Sequence, residues 1–250
     1  MLNVNIENIS VSVQGSFRKL LSGISFSLPH NCVYTILGSN GSGKSTLIKS
    51  LTGLLDYRFY KVKGDVFFNQ SNILKIKSDE LIKIRKKYIR YVFQDAIKSL
   101  DPLKTIKYYF DNSGGEIEKI DELLNQFQLP HYKTISEKHA YELSGGMLQR
   151  LNFVLALSAE PELIILDEPT SAIDPINSVL FLKAIRNFVK AGNNSALIVT
   201  QDLPFAEKIS DKITLLKDGT ITEFVDTNTF FNSDHSANSS LINAYKELSR

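Results

Sequence analysis

A single cysteine, Cys32, stands among 250 residues. It excludes an internal disulfide and leaves no thiol cluster for a zinc or iron–sulfur site, which fits a reducing compartment. Charge of one sign is not in excess either. A net charge of +2 argues against nucleic acid as the main partner, because no basic surplus exists to neutralise a phosphate backbone. No apolar run approaches the ~20 residues that span a bilayer, so any work at a membrane needs another chain as anchor. Residues 1–13 lack the basic start and apolar centre of a secretion signal and alternate apolar with polar, which predicts a strand. Repeats, long low-complexity tracts and sustained heptads are absent too. What remains is 43% hydrophobic and 22% charged residues, ordinary for a water-soluble fold and enough for one large domain or two lobes.

Against that plain background one stretch is specific. Gly38, Ser39, Asn40, Gly41, Ser42, Gly43, Lys44, Ser45 and Thr46 fit the phosphate-loop pattern G-x-x-x-x-G-K-[ST] without a mismatch. Residues 33–37 ahead of it read as a short buried strand. Leu47, Ile48, Leu51 and Leu54 behind it recur at helical spacing. Strand, glycine-rich turn and helix start are the context the motif requires. The glycines let backbone N–H groups turn inward around a polyphosphate, and the helix N-terminus adds partial positive charge. Lys44 is placed to neutralise the β- and γ-phosphates and the Ser45 hydroxyl to hold Mg²⁺. The pattern predicts a nucleoside triphosphate site.

Two further strings extend this chemistry. Asp167 and Glu168 close the apolar run 163–166, which has the character of a strand buried in a parallel sheet. Asp167 there can hold a metal-bound water, and Glu168 can orient or deprotonate the attacking water. An acidic pair before Pro169 can also cap the next turn; the phosphate loop upstream favours the catalytic role. Leu143-Ser144-Gly145-Gly146-Met147 opens a helix with a hydroxyl and exposed backbone N–H groups, a second anion site. A lone S-G-G is usually only an N-cap, but Gln149-Arg150 after it makes the string specific. One triphosphate needs one cradle. Two sets of phosphate-binding groups predict a head-to-tail dimer, each nucleotide lying between the loop of one chain and the Ser144-Gly145-Gly146 helix of the other.

The element order supports an α/β core. Strands are predicted at 4–11, 24–28, 62–68 (with Gly64-Asp65 as a bend or bulge), 163–166, 196–199 and in a hairpin, 213–216 with 220–224, turning at Asp218-Gly219. Helices are predicted over 116–127, from Ser144 to before Pro161, over 175–189 and within the lysine-rich stretch 71–90. A helical block from about 95 to 160 interrupts the alternation. After Asp226 the pattern weakens, with Phe230-Phe231 and 241–248 expected to pack a terminal helix on the core.

Together these strings resemble the ATPase subunit of an ATP-binding cassette (ABC) transporter, from about residue 2 to about residue 225. Gly38–Thr46 matches its Walker A loop, Gln94 the Q-loop, 143–149 the signature motif, 163–169 Walker B and Ser171-Ala172-Ile173-Asp174 the D-loop. The resemblance implies an α/β P-loop NTPase: a RecA-like core with an antiparallel β subdomain (1–94 and 161–225), an inserted α-helical lobe (95–160) and a C-terminal tail (226–250). It implies ATP and Mg²⁺ as ligands, with Gln94 serving nucleotide and metal, and Asp174, Ser144, Gly145 and Gly146 serving nucleotide. The expected place is the cytoplasmic face of the cell membrane, peripheral, with two membrane permease subunits, a second ATPase subunit in a heterodimer and an external solute-binding protein served indirectly. No nucleic acid is expected.

Phe93-Gln94-Asp95 followed by Ser99-Leu100-Asp101-Pro102, and Met147 within the signature string, resemble the peptide and nickel importer branch. That implies a di- or oligopeptide, nickel or a chelated metal as cargo. The absence of a cysteine-bearing extension after Arg250 resembles the shorter nickel-type subunits. The alternative is a regulatory, non-transport ABC ATPase acting on a protein partner; a small phosphate-transfer kinase would not need the serine-glycine helix. Three positions depart from the family pattern. Gln201 stands where a catalytic histidine contacts the γ-phosphate, and its amide can donate a hydrogen bond but carry no charge. Ala96 replaces a proline. Val13 stands where an aromatic residue stacks on adenine, with Phe17 as the candidate substitute.

Overall fold

The computed structural model describes residues 1–96, 99–170 and 175–232, with the backbone alone at 175–177. The chain forms two compact units, Met1–Lys77 with the segment from Leu197 onward, and Ser78–Ala196. The expected lobe 95–160 lies inside the second. Along the first unit run β1 (Leu2–Val13), β2 (Ser16–Leu28), β3 (Val33–Leu37), α1 (Lys44–Leu51), β4 (Tyr60–Phe68) and β5 (Ser71–Asn72). The second contains α2 (Ser78–Lys87), β6 (Ile89–Val92), α3 (Ile106–Ser113), α4 (Ile117–Gln126), α5 (Tyr132–Ile135), a 3₁₀ turn (Ala140–Glu142), α6 (Gly145–Leu157), β7 (Leu163–Asp167) and α7 (Pro175–Lys190). β8 (Ser195–Thr200) returns the chain to the first unit, which ends with α8 (Leu203–Ile209), β9 (Lys212–Lys217), β10 (Thr220–Ile221), β11 (Val225–Asp226) and α9 (Thr227–Asn232).

In the first unit an antiparallel sheet takes the order β2-β1-β4-β5. β1 buries Leu2, Val4 and Ile6 while Asn3, Asn5 and Glu7 face solvent, the period of two expected of a half-buried strand. The bend expected at Gly64 is a bulge: the β1–β4 register shifts between Ile6 and Asn8. Gly64 has φ +129°, and a Cβ there would lie 2.3 Å from the Asn5 carbonyl oxygen, so only glycine fits. β3 is buried at every residue and pairs parallel with β9. Leu37, Ala206, Ile213, Leu215, Phe230 and Phe231 form one apolar cluster, so the expected packing of Phe230-Phe231 is present; 241–248 lies outside the described residues.

The hairpin turns at Asp218 (φ +49°) and Gly219 (φ +76°), the two left-handed residues of a type I′ connection. Its second strand stops at Ile221 rather than at residue 224. Phe224 leaves the ladder and packs edge-on against Phe26 and Tyr34, with ring centroids 5.5 and 5.4 Å apart. Half-burial of that ring outweighs three more strand residues.

In the second unit β6 and β7 pair parallel. Phe127, Phe153 and Phe181 interlock with centroids 4.8–5.4 Å apart, joining the end of α4 to α6 and α7. β6 and α8 have no counterpart in the sequence expectations. β6 is only four residues long and carries Arg90 and Tyr91 between its apolar ends, too short a run for a period to show.

Candidate functional site

β3 and α1 position the phosphate loop as the pattern requires. Gly43 caps α1 with φ +100°, a conformation that only glycine adopts without strain. A Cβ at Gly43 would meet Leu21 Cδ2 at 2.8 Å, and one at Gly38 would meet the Leu216 carbonyl oxygen at 2.8 Å. At these two glycines the loop is thus pressed against β2 and β9, with no room for a side chain. The Lys44 ammonium, 5% exposed, curls back on the loop and donates to the Gly38 and Ser39 carbonyls at 2.8 and 3.1 Å. Ser39, Asn40 and Gly41 are exposed at the tip, and Ser45 and Thr46 are half-buried in the first turn of α1. The Ser42 hydroxyl is buried with no hydrogen-bond partner among the described residues. An orphan hydroxyl, a buried cation and a helix N-terminus around one glycine cradle are a donor set for a polyphosphate.

β8 delivers Gln201 to the same place. The Gly38 N–H donates to the Thr200 carbonyl at 3.3 Å, so the exposed Gln201 follows directly from the loop's first residue. Asp202 is fixed beside it: its N–H donates to Thr200 Oγ1 and its carboxylate caps α8 by accepting from the Phe205 N–H, both at 3.0 Å. Phe17, the candidate for stacking on adenine, lies on the β1–β2 ladder. It pairs with Ser12 on the sheet face opposite Ile9 and Leu21, where it lines an open groove with Ser10 and Lys63, and the Lys61 ammonium sits 3.8 Å above its ring. Val13, 46% exposed, shares the face of Ile9 and Leu21 by strand alternation.

The second unit carries the acidic pair. Asp167 ends β7 at 4% exposure, and Glu168 follows at 6% with φ +47°, a left-handed backbone that costs a non-glycine residue of order 1 kcal/mol. Strain of that kind is often found at active sites, and at a buried carboxylate it marks Glu168 as a candidate. Tyr91 of β6 donates from its hydroxyl to Asp167 Oδ2 at 2.8 Å. Burial first, then the neighbouring carboxylate, push the Tyr91 phenol far above its ordinary range. Gln94, exposed, follows the end of β6. Asp167 and the Ser45 hydroxyl are hard oxygen ligands of the sort Mg²⁺ takes.

The same unit carries the Ser144-Gly145-Gly146 helix start. Ser144 caps α6, its hydroxyl accepting from the Met147 N–H at 3.3 Å. Positions a Cβ would take at Gly145 and Gly146 meet nothing within 4 Å, so this helix end is open. From the buried face of α6 the Gln149 amide donates to the Pro169 carbonyl at 2.9 Å, tying the helix to the residue after Glu168. Tyr91 and Asn152, which bonds the segment after Gln94 (Asn152 Nδ2 to Ser99 Oγ, 2.7 Å), are contacts no spacing rule could supply. Asp174 and its 171–174 string lie outside the described residues. Among the described residues no helix is long and apolar enough to cross a membrane.

Comparison with known proteins gives the family and the fold. Residues 21–171 match the family described as ABC transporter. The chain is 32% identical over 232 residues to a metal-staphylopine import system ATP-binding protein of Staphylococcus aureus, covering 89% of this chain and 85% of that protein. It is 33% identical to a dipeptide transport ATP-binding protein of Caldanaerobacter subterraneus subsp. tengcongensis, covering 90% and 72%. Among solved structures, a dimeric ATP-binding cassette in a post-hydrolysis state, bound to ADP and Pi, superposes with TM-score 0.76 at 24% identity over 91% of this chain and 99% of that one. An ATP-binding subunit of an ABC transporter does so with TM-score 0.77 at 22% identity over the full length of both. At those identities the structural likeness speaks for the fold, an ABC ATPase cassette of the P-loop NTPase class.

Proposed function

This chain belongs to the ABC transporter family, and from that premise we propose that it is the ATP-hydrolysing subunit that energises an importer. The cargo class is a di- or oligopeptide, nickel or a chelated metal, in keeping with the named substrates of its relatives. In this reading the subunit works peripherally on the cytoplasmic face of the membrane, and membrane-embedded permease chains receive its motion.

One observation supports the mechanism: the chain has two separate sets of groups suited to holding phosphate. One is the cradle of Gly38–Thr46, the other the open, Ser144-capped end of α6. In the proposed cycle each nucleotide is held by the first set of one polypeptide and the second set of another. Lys44 leaves its two carbonyls for the β- and γ-phosphates. Ser45, Gln94 and Asp167 would hold Mg²⁺, which when bound would supply charge neutralisation. Glu168 orients and deprotonates the attacking water, Asp174 contributes across the dimer interface, and Gln201 donates to the γ-phosphate. The 95–160 lobe, hinged at Gln94, passes closure on to the permeases. A second ATPase subunit is the natural partner, because a site bearing a histidine there would tolerate Gln201 in this one.

The test is Ser144→Arg in the purified complex. ATP binding to the isolated subunit should be unchanged, while ATP-driven association and hydrolysis fall by at least ~100-fold. Undiminished hydrolysis would overturn the sandwich.

A further inference from the structure

We propose that Tyr91 is a positioning residue for the hydrolytic site: its hydroxyl holds the Asp167 carboxylate in the orientation that faces the metal. The inference rests on the reading of Asp167 as metal-facing given above. It depends on nothing in the sequence pattern, since Tyr91 and Asp167 are 76 residues apart.

Strand register brings the two together. Tyr91 of β6 stands directly opposite Ile165 of β7, and Ile165 and Asp167 share one face of their strand by the period of two. A tyrosine is long enough to pass its paired residue and reach the diagonal neighbour, and its Oη meets Asp167 Oδ2 at 2.8 Å. The ring is held in turn by Phe93, whose centroid lies 4.5 Å away. The donor is therefore fixed at both ends, by backbone pairing and by ring packing.

The choice of donor matters chemically. Asp167 is 4% exposed, and a carboxylate that deeply buried needs hydrogen-bond partners. A lysine or arginine in this place would supply them but would cancel the charge that a divalent cation needs. A phenol supplies one strong bond and leaves the full negative charge in place. It thus fixes which way the carboxylate points without competing for the ion. Partners of this kind behind a metal ligand are typically worth 10–100-fold in metal affinity or activity.

Tyr91→Phe removes the one oxygen and keeps the ring against Phe93. In the purified complex, binding of a fluorescent ATP analogue is titrated against Mg²⁺, with Asp167→Asn as reference and the melting temperature without Mg²⁺ as a check on the fold. The expected result is a Mg²⁺ half-saturation raised about 10-fold in Tyr91→Phe, unchanged analogue binding without metal, and a larger shift in Asp167→Asn. If Asp167→Asn shifts the Mg²⁺ dependence and Tyr91→Phe does not, the positioning role is wrong and the metal assignment stands. If neither variant shifts it, the assignment of Asp167 fails and Tyr91 falls with it.

Discussion

The Asn152 amide donates to Ser99 Oγ at 2.7 Å and to the Ala96 carbonyl at 3.3 Å, while the Ser99 hydroxyl donates to that same carbonyl at 2.7 Å. Three polar groups thereby fasten α6, the helix that begins at Ser144, to the segment leaving Gln94. Both functional strings of the second unit share this tie, and Gln149 adds a third connection, to the residue after Glu168.

The tie should be measurable as non-additivity. Asn152→Ala and Ser99→Ala each remove part of a half-buried network and should each cost about 1 kcal/mol of stability. In a double-mutant cycle by chemical denaturation, the pair should fall short of the sum by at least ~0.5 kcal/mol. Strict additivity would mean the two side chains do not meet in solution.

Gly43→Ala tests the cradle itself. The substitution meets a backbone at φ +100° and the Leu21 methyl at 2.8 Å, so a loss of roughly 1–3 kcal/mol is expected. Shortening Leu21 to alanine in the same chain relieves the collision and leaves the backbone strain. The double variant should therefore be more stable than the two separate losses predict, and a denaturation midpoint for each of the three variants decides it.

Gln201→His should speed hydrolysis. A preorganised donor at a reacting phosphate is worth ~10²–10³ in rate, and the amide recovers only part of it, having no positive charge to offer. Steady-state phosphate release by the purified complex reads the effect directly. An unchanged rate would show that glutamine suffices here.

Cys32 gives a pH prediction with a definite sign. Burial, chiefly, pushes its thiol up from 9.0 to about 11, against a smaller opposing effect of the Tyr34 hydrogen bond. Because the folded chain holds this proton more tightly than the unfolded one, the thiol's contribution to stability is complete below pH 9 and is lost as pH rises to about 11. Thiol alkylation of the native protein at pH 8 should be slower than that of the denatured protein by roughly the 100-fold drop in thiolate that two pKa units represent. Equal rates would show the thiol to be unperturbed.

Much of this molecule is local in origin. The turn at Gly43, the hairpin at Asp218-Gly219, the bulge at Gly64 and the Ser144 cap all follow from what single residues permit their own backbone. All four were legible from residue type and spacing. The buried strands at β3, β7 and β8 were legible for the same reason, as apolar runs between turn signals. β6 was not, since four residues with a charge among them leave no period to see. Neither was α8, whose Asp202 cap and Pro204 start precede too short a helix. Phe17 shows a different limit: its aromatic character is plain, but which sheet face it occupies depends on the β1–β2 register.

By itself the sequence determined the phosphate-loop pattern at Gly38–Thr46, the Ser144-capped helix start with its two glycines, and two carboxylates at the end of a buried strand. Those properties reside in consecutive residues. Only the tertiary structure decided that Tyr91 grips Asp167, that Asn152 fastens the segment after Gln94, and that Leu21 and Leu216 close on the phosphate loop from either side. Contacts of that kind depend on register and packing between distant segments, and a side chain's partner across a sheet is set by a cooperative fold rather than by its neighbours in the chain.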